Sequence, residues 1–124
     1  RVSVVHLDQT QYDRAPGSSW SRCVRRELKA QGRSVPTLCP IITRDSSGRV
    51  VRCNRRMVGM RVHGAHVKVL STAKKGVMLV CSLHNPGNHR AGVVQQLLER
   101  DLPSVFLPMP DLAGVVPRIK YKQK

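Results

Sequence analysis

The sequence predicts a mainly β domain with short helices: a small barrel of about five strands, one or two peripheral helices and a basic C-terminal tail. The chain has 124 residues, which suits one compact domain and is too short for two. Aromatic residues make up only 3% of it, so the core must be built from aliphatic side chains. Between residues 40 and 83, short β-branched segments alternate with glycine turns, a spacing typical of small barrels. We therefore expect one domain over residues 1–116 and a tail over residues 117–124.

The N-terminal part is predicted to contain one strand and one helix. Residues 1–6 alternate apolar with polar side chains and are rich in valine, which predicts a strand. A serine at position 18 or 19 can cap a helix over residues 20–31, and Gly32 can end it. The apolar positions of this helix recur every four residues: Trp20, Val24 and Leu28. Its remaining surface is basic: Arg22, Arg25, Arg26 and Lys29. We expect this basic surface to lie on phosphates.

Four short strands and a second helix are predicted to follow. The strand predictions cover residues 40–44, 49–54, 60–71 and 76–83, and the third strand is expected to break at Gly64. An apolar stripe then predicts a helix from His89 to Arg100, capped by Asn88. The stripe consists of Val93, Val94, Leu97 and Leu98. Residues 104–107 are a candidate for one more short strand.

The charge of the chain indicates a polyanionic partner. Lys and Arg number 22 against 7 Asp and Glu, which gives a net charge of +15 and an isoelectric point of about 11.1. Between Asp45 and Glu99 the sequence contains no acidic residue, so the cations of this span reinforce one another. A second basic run closes the chain. The predicted RNA-binding residues are Arg49, Arg52, Arg55, Arg56, Arg61, Lys68, Lys74, Lys75, Arg90, Arg118, Lys120, Lys122 and Lys124.

The scarcity of aromatic side chains indicates which kind of RNA is bound. Proteins that bind single-stranded RNA stack exposed bases on aromatic rings, and this chain offers few. Arginine presents a planar fork that matches phosphate oxygens. We therefore expect structured RNA, recognised through its phosphates and its shape, and we expect neither a membrane nor a small-molecule substrate.

Neither a catalytic centre nor a cofactor is predicted. The chain lacks the glycine loops, nucleophile motifs and metalloprotease motifs of common enzymes. Two pairs have the short spacing of metal ligands, His63-x-x-His66 and Cys81-x-x-His84, with Cys53 and His89 nearby. In a strand, however, residues three apart point to opposite faces, which separates the two histidines of the first pair. The thiols of Cys53 and Cys81 are expected to be buried in the core, and we therefore predict no bound metal.

The four cysteines indicate a reducing compartment. They contain no close Cys-x-x-Cys pair, so buried reduced thiols are expected rather than disulfides. No apolar run approaches the roughly 18 to 20 residues of a membrane-spanning helix. The chain begins with Arg1 instead of methionine, as expected either for a chain with a transit peptide removed or for a trimmed chain.

The segment that begins at Ile41 contains several short motifs. From Ile41 the text reads I-I-T-R-D-S-S-G-R-V-V-R-C, followed by Val58-Gly59 and later by Lys74-Lys75-Gly76-Val77. These motifs resemble those of the large-subunit ribosomal protein fourteen family, and the opening residues of the chain resemble those of mitochondrial members of that family. The resemblance implies a five-stranded barrel that binds large-subunit ribosomal RNA at the intersubunit side.

The function expected from the sequence is therefore that of a structural constituent of the ribosome. Its partners would be ribosomal RNA and neighbouring ribosomal proteins. The mitochondrial matrix is the expected location, and the cytoplasmic ribosome is the alternative. Two other functions stay open at this point: an RNA-processing or ribosome-assembly module, and a zinc-stabilised domain.

Overall fold

Two antiparallel sheets and two short helices form the fold. The structure, a computed structural model, describes residues 1–7, 19–85 and 92–109. Its strands are β1 (Val2–His6), β2 (Ile42–Arg44), β3 (Val50–Arg52), β4 (Val62–Val69), β5 (Lys75–Cys81), β6 (Val94–Leu97) and β7 (Phe106–Pro108). Its α-helices are α1 (Trp20–Ala30) and α2 (Leu102–Val105), and short 3-10 turns cover Gly59–Arg61, Ser82–His84 and Glu99–Asp101. The prediction of a mainly β protein with short helices is confirmed.

The main sheet has five strands in the order β6-β1-β4-β5-β7, and every neighbouring pair is antiparallel. Strands β2 and β3 form a separate two-stranded hairpin. Within the described residues the edge strands β6 and β7 do not pair with each other, so the main sheet is open. The word barrel therefore fits this sheet only loosely.

The predicted second helix is wrong over the part that the structure describes. Val94–Leu97 is strand β6, which pairs with β1 in the register Val2↔Leu97 and Val5↔Val94. Of the apolar stripe that suggested a helix, Leu97 is buried whereas Val94 is 54% exposed. Hydrogen bonding to the open edge of β1 outweighs the local helical spacing, because β1 offers a complete ladder of partners. Residues 86–91, including the predicted cap, lie outside the described residues.

Strand β4 continues through Gly64, contrary to the predicted break. Gly64 pairs with Leu79 of β5, and helix α1 crosses the strand at this glycine. A Cβ atom at position 64 would lie 2.7 Å from the Cβ of Trp20 and 3.0 Å from the backbone nitrogen of Ser21. The glycine is thus explained by the close approach of the helix, which no side chain at this position would permit.

Helix α1 forms where the sequence predicts it. The Ser19 side chain accepts a hydrogen bond from the Arg22 backbone nitrogen at 3.3 Å, so this serine is the N-cap. The apolar side of the helix is buried against the sheet, with Val24 and Leu28 fully enclosed. The helix thereby covers the core and turns its cations outward.

The other predicted strands form with shifted ends. The hairpin turn is held by Asp45, whose Oδ1 accepts hydrogen bonds from the backbone nitrogens of Ser47 and Arg49, both at 2.9 Å. The last strand candidate splits into α2 and β7, since Leu102–Val105 forms one helical turn before Phe106.

The predicted tail, residues 117–124, lies outside the described residues. No helix in the described ranges has the length and apolar character needed to cross a membrane.

Candidate nucleic-acid interface and metal centre

A basic groove runs along the outer side of α1. Its volume is about 750 Å³. The groove is lined by Ser19, Ser21, Arg22, Arg25, Arg26, Lys29, Gly59, Met60 and Val62. We call this surface the basic groove. The sequence predicts that this helix surface faces phosphates, and folding adds a second wall to it.

The second wall comes from the sequence between Asp45 and Glu99, which contains no acidic residue and which we call the acid-free span. The 3-10 turn Gly59–Arg61 lies beside the helix and presents Met60, which is 95% exposed. The exposed Arg61 follows it directly. The basic groove thus joins helix cations to a part of the chain that the sequence analysis had treated as a separate binding region.

The predicted RNA-binding residues come from several elements. Six are exposed: Arg49, Arg55, Arg56, Arg61, Lys74 and Lys75. Arg52 and Lys68 are half-buried. Five lie outside the described residues: Arg90, Arg118, Lys120, Lys122 and Lys124. Because the described ones belong to the hairpin, the segment after it and the β4–β5 pair, their shared lack of acidic neighbours in the sequence does not by itself define an interface.

Arg52 departs from the expectation that no carboxylate competes for these cations. Its Nε donates to Asp101 Oδ2 at 2.9 Å, and its second guanidinium nitrogen donates to Oδ1 at 3.2 Å. Asp101 is 49 residues away in the sequence, so only folding brings the two together. The pair joins the hairpin to the segment before α2, and Arg52 is therefore a structural cation.

Two lysines on the main sheet are like charges placed opposite each other. Lys68 of β4 and Lys75 of β5 are cross-strand partners. Like charges directly opposite in an antiparallel pair are destabilising. A polyanion bound nearby would remove this repulsion, so this pair agrees with a basic surface that is neutralised by a partner.

A second site brings together three cysteines and one histidine. Its members are Cys39, Cys53, Cys81 and His84, which we call the Cys3His cluster. Each offers one ligand atom, a cysteine Sγ or the histidine Nδ1, and these atoms lie within 4.8 Å of one another. Cys39 and Cys81 are buried, whereas Cys53 and His84 are half-buried. All four cysteines of the chain lie in the described residues and are free of disulfide bonds there.

The backbone explains how distant segments meet in the Cys3His cluster. The chain before β2 is hydrogen bonded to the chain after β3, since the backbone nitrogen of Cys39 donates to the carbonyl of Arg55 at 2.8 Å. On the other side, β5 ends at Cys81, and the 3-10 turn that follows folds His84 back onto it. The cluster therefore lies between the base of the hairpin and the end of the central strand β5.

Hydrogen bonds around the cluster hold its members in place. The Gln95 side chain of β6 donates through Nε2 to the backbone carbonyl of His84 at 3.1 Å, and its Oε1 accepts a hydrogen bond from Nε2 of the His6 ring at 2.7 Å. Burial lowers the pKa of His84, and the positive charge of Arg55 lowers it further. Burial also raises the pKa of the Cys39 thiol to about 12, so this thiol is protonated at neutral pH when no metal is bound.

The histidine pair on β4 does not form a site. His66 is buried and its ring contacts Trp20 edge to face, with a centroid distance of 5.1 Å. His63 is half-buried and lies on the other face of the strand. The separation of these two histidines by strand geometry is as the sequence analysis expected.

Two smaller clefts contain the carboxylates of the C-terminal part. One is lined by Asp101 together with its partner Arg52, and the other includes Glu99 and Lys74. Neither cleft is lined by a histidine among the described residues.

Comparisons with protein-family models, with curated proteins and with solved structures gave no match to this chain.

Proposed function

We propose that this protein binds structured RNA through phosphate contacts made in the basic groove. The observation that carries the proposal is the alignment of four cations of α1 along one groove, beside an exposed turn that ends in Arg61. Among the described residues, Arg52 is the cation that forms a salt bridge with a carboxylate. The groove cations therefore keep their full charge for a partner.

The shape of the groove supports phosphates as its ligand. Cations on successive turns of a helix lie about 5 to 6 Å apart, comparable to the spacing of phosphates along one nucleic-acid strand. The described residues that line the groove include no aromatic side chain on which a base could stack. Recognition of backbone geometry fits this surface better than recognition of unpaired bases does.

The salt dependence of binding tests the proposed surface. Each lost phosphate contact lowers the magnitude of the slope of log K against log salt by about 0.7 to 0.9, so losing two lowers it by about 1.4 to 1.8. We expect this change when Arg22→Gln and Arg26→Gln are combined, measured by fluorescence anisotropy with a hairpin RNA at several salt concentrations.

The matched control removes the same charge from the surface favoured by the sequence analysis. The double variant Arg49→Gln with Arg56→Gln, whose two arginines are both exposed, should keep most of the affinity and most of the salt slope. The opposite result, with binding lost in this control and kept in the groove variant, would place the RNA on the acid-free span and overturn the groove assignment.

The broader proposal is that the protein is a structural constituent of a ribosome, with the mitochondrial ribosome as the first candidate. Two observations support this proposal: the large positive charge, and the resemblance of the motifs from Ile41 onward to those of the large-subunit ribosomal protein fourteen family. Sedimentation tests it, since a structural constituent comigrates with a ribosomal subunit in high salt. Release into the free pool would favour an RNA-processing or assembly factor.

A further inference from the structure

We infer that the Cys3His cluster binds one Zn²⁺ ion that fastens the hairpin to the main sheet. This inference replaces the sequence-based prediction of no metal, which considered the short spacings without Cys39. It concerns a different part of the molecule from the basic groove and does not depend on RNA binding.

Three of the distances between ligand atoms are close to those around a tetrahedral zinc ion, and all four atoms lie within 4.8 Å of one another. Zinc bonds to thiolate sulfur at about 2.3 Å and to histidine nitrogen at about 2.0 to 2.1 Å, so tetrahedral angles separate two sulfurs by about 3.8 Å and a sulfur from a nitrogen by about 3.6 Å. The sulfurs of Cys53 and Cys81 are 3.8 Å apart. The His84 Nδ1 lies 3.3 Å from the Cys81 sulfur and 3.8 Å from the Cys39 sulfur.

Backbone hydrogen bonds hold the two hairpin cysteines of the cluster beside each other. The backbone nitrogen of Cys53 donates to the carbonyl of Ile41 at 2.7 Å, and that of Asn54 donates to the carbonyl of Cys39 at 3.0 Å. The paired backbone therefore fixes the spacing of two of the three sulfurs.

The chemistry of the ligand set selects the ion and its role. Three thiolates and an imidazole in a tetrahedral arrangement are typical of zinc, and four protein ligands leave no open position for water or substrate. Binding releases three thiol protons to the solvent and leaves the complex with one negative charge.

The position of the cluster explains what the ion contributes to the fold. The hairpin forms a sheet of its own, so within the described residues no strand ladder joins it to the five-stranded sheet. Two ligands come from the hairpin side and two from the end of β5 and the turn after it. A zinc ion at this point links segments up to 45 residues apart, from Cys39 to His84, and such a link contributes directly to folding.

Metal analysis of the purified full-length chain tests the inference. We expect about one equivalent of zinc in the unmodified protein and in the Cys23→Ser variant, because Cys23 is a buried cysteine outside the cluster. His84→Ala should lose the zinc, and His84→Cys should retain it because a fourth thiolate replaces the imidazole. Far-ultraviolet circular dichroism checks that each variant is folded.

A second measurement on the unmodified chain keeps the inference falsifiable if the His84→Ala variant does not fold. Co²⁺ added to the metal-free protein should give the visible absorption of a tetrahedral ion and a sulfur-to-cobalt charge-transfer band, with saturation at about one ion per chain. Removing the metal with a chelator should lower the melting temperature. A metal-free chain with a Cys53–Cys81 disulfide, an octahedral cobalt spectrum, or zinc lost on Cys23→Ser would each overturn the inference.

Discussion

Replacing Gly64 with alanine tests the packing that positions the basic groove. The new Cβ would lie 2.7 Å from the Cβ of Trp20 and 3.0 Å from two backbone atoms of α1, where ordinary contacts begin at 3.4 Å. The obstacle is helix backbone, so the whole start of α1 must move outward by about 0.7 Å, the difference between 3.4 and 2.7 Å.

The magnitude follows from two opposing effects. Overpacking a close contact costs about 1 to 3 kcal/mol, whereas alanine in place of glycine in a strand gains about 0.5 to 1 kcal/mol through the backbone. The steric effect wins, and we expect Gly64→Ala to lower the free energy of unfolding by about 1 to 2 kcal/mol. For a chain of 124 residues this corresponds to a fall in melting temperature of about 4 to 8 °C.

Trp20 makes the assay specific to this contact. It is the only tryptophan of the chain, it is 5% exposed, and it lies directly on Gly64. Urea unfolding followed by its fluorescence measures the stability, and its emission before unfolding reports on the movement of the helix. Ser34→Thr, which adds one carbon at an exposed position, is the size control. Unchanged emission with equal or higher stability would refute the close approach of helix and sheet.

The remaining predictions concern the hairpin. Asp101→Asn should lower the free energy of unfolding by no more than about 1 kcal/mol, since the side chains of Arg52 and Asp101 are 38% and 22% exposed and solvent screens the pair; a loss above about 2 kcal/mol in urea unfolding would show that the pair behaves as a buried one. Asp45→Asn should lower the melting temperature at neutral pH. Hydrogen bonds hold the pKa of Asp45 below its ordinary value, and the bond from the Ser47 hydroxyl has the largest effect. The carboxylate therefore stabilises the fold above about pH 4, and this contribution disappears as the pH falls through the lower folded pKa. Melting curves of both proteins at a series of pH values should converge in acid, and a difference that grows in acid would contradict the assignment.

Local features of the sequence determined the parts of the fold whose signals are local. Strand β1, the capped helix α1 and the hairpin around Asp45 each form within a few residues of the predicted position. Alternation of side chains, a serine before an apolar stripe and a turn with Asp, Ser and Gly act over short distances, so the chain carries them wherever it folds. The large excess of cations is likewise a property of composition.

Features that depend on distant partners were missed. Val94–Leu97 carries a helical stripe and becomes a strand because β1 offers it an edge. Arg52 pairs with Asp101, a partner 49 residues away that no local pattern indicated. Only part of the Cys3His cluster could be predicted from the sequence. The turn near Asp45 lies midway between Cys39 and Cys53, and a hairpin with this turn brings the two cysteines together at its open end.

The sequence by itself determined the class of fold, the helix with its basic face and the large excess of positive charge. Only the tertiary structure decided that the helix face and the Gly59–Arg61 turn form one groove, and that Cys39 and Cys53 meet Cys81 and His84. The physical reason is that charge, turn chemistry and side-chain periodicity act between near neighbours. Strand pairing, close helix packing and ligand geometry require atoms from segments that only the folded chain brings together.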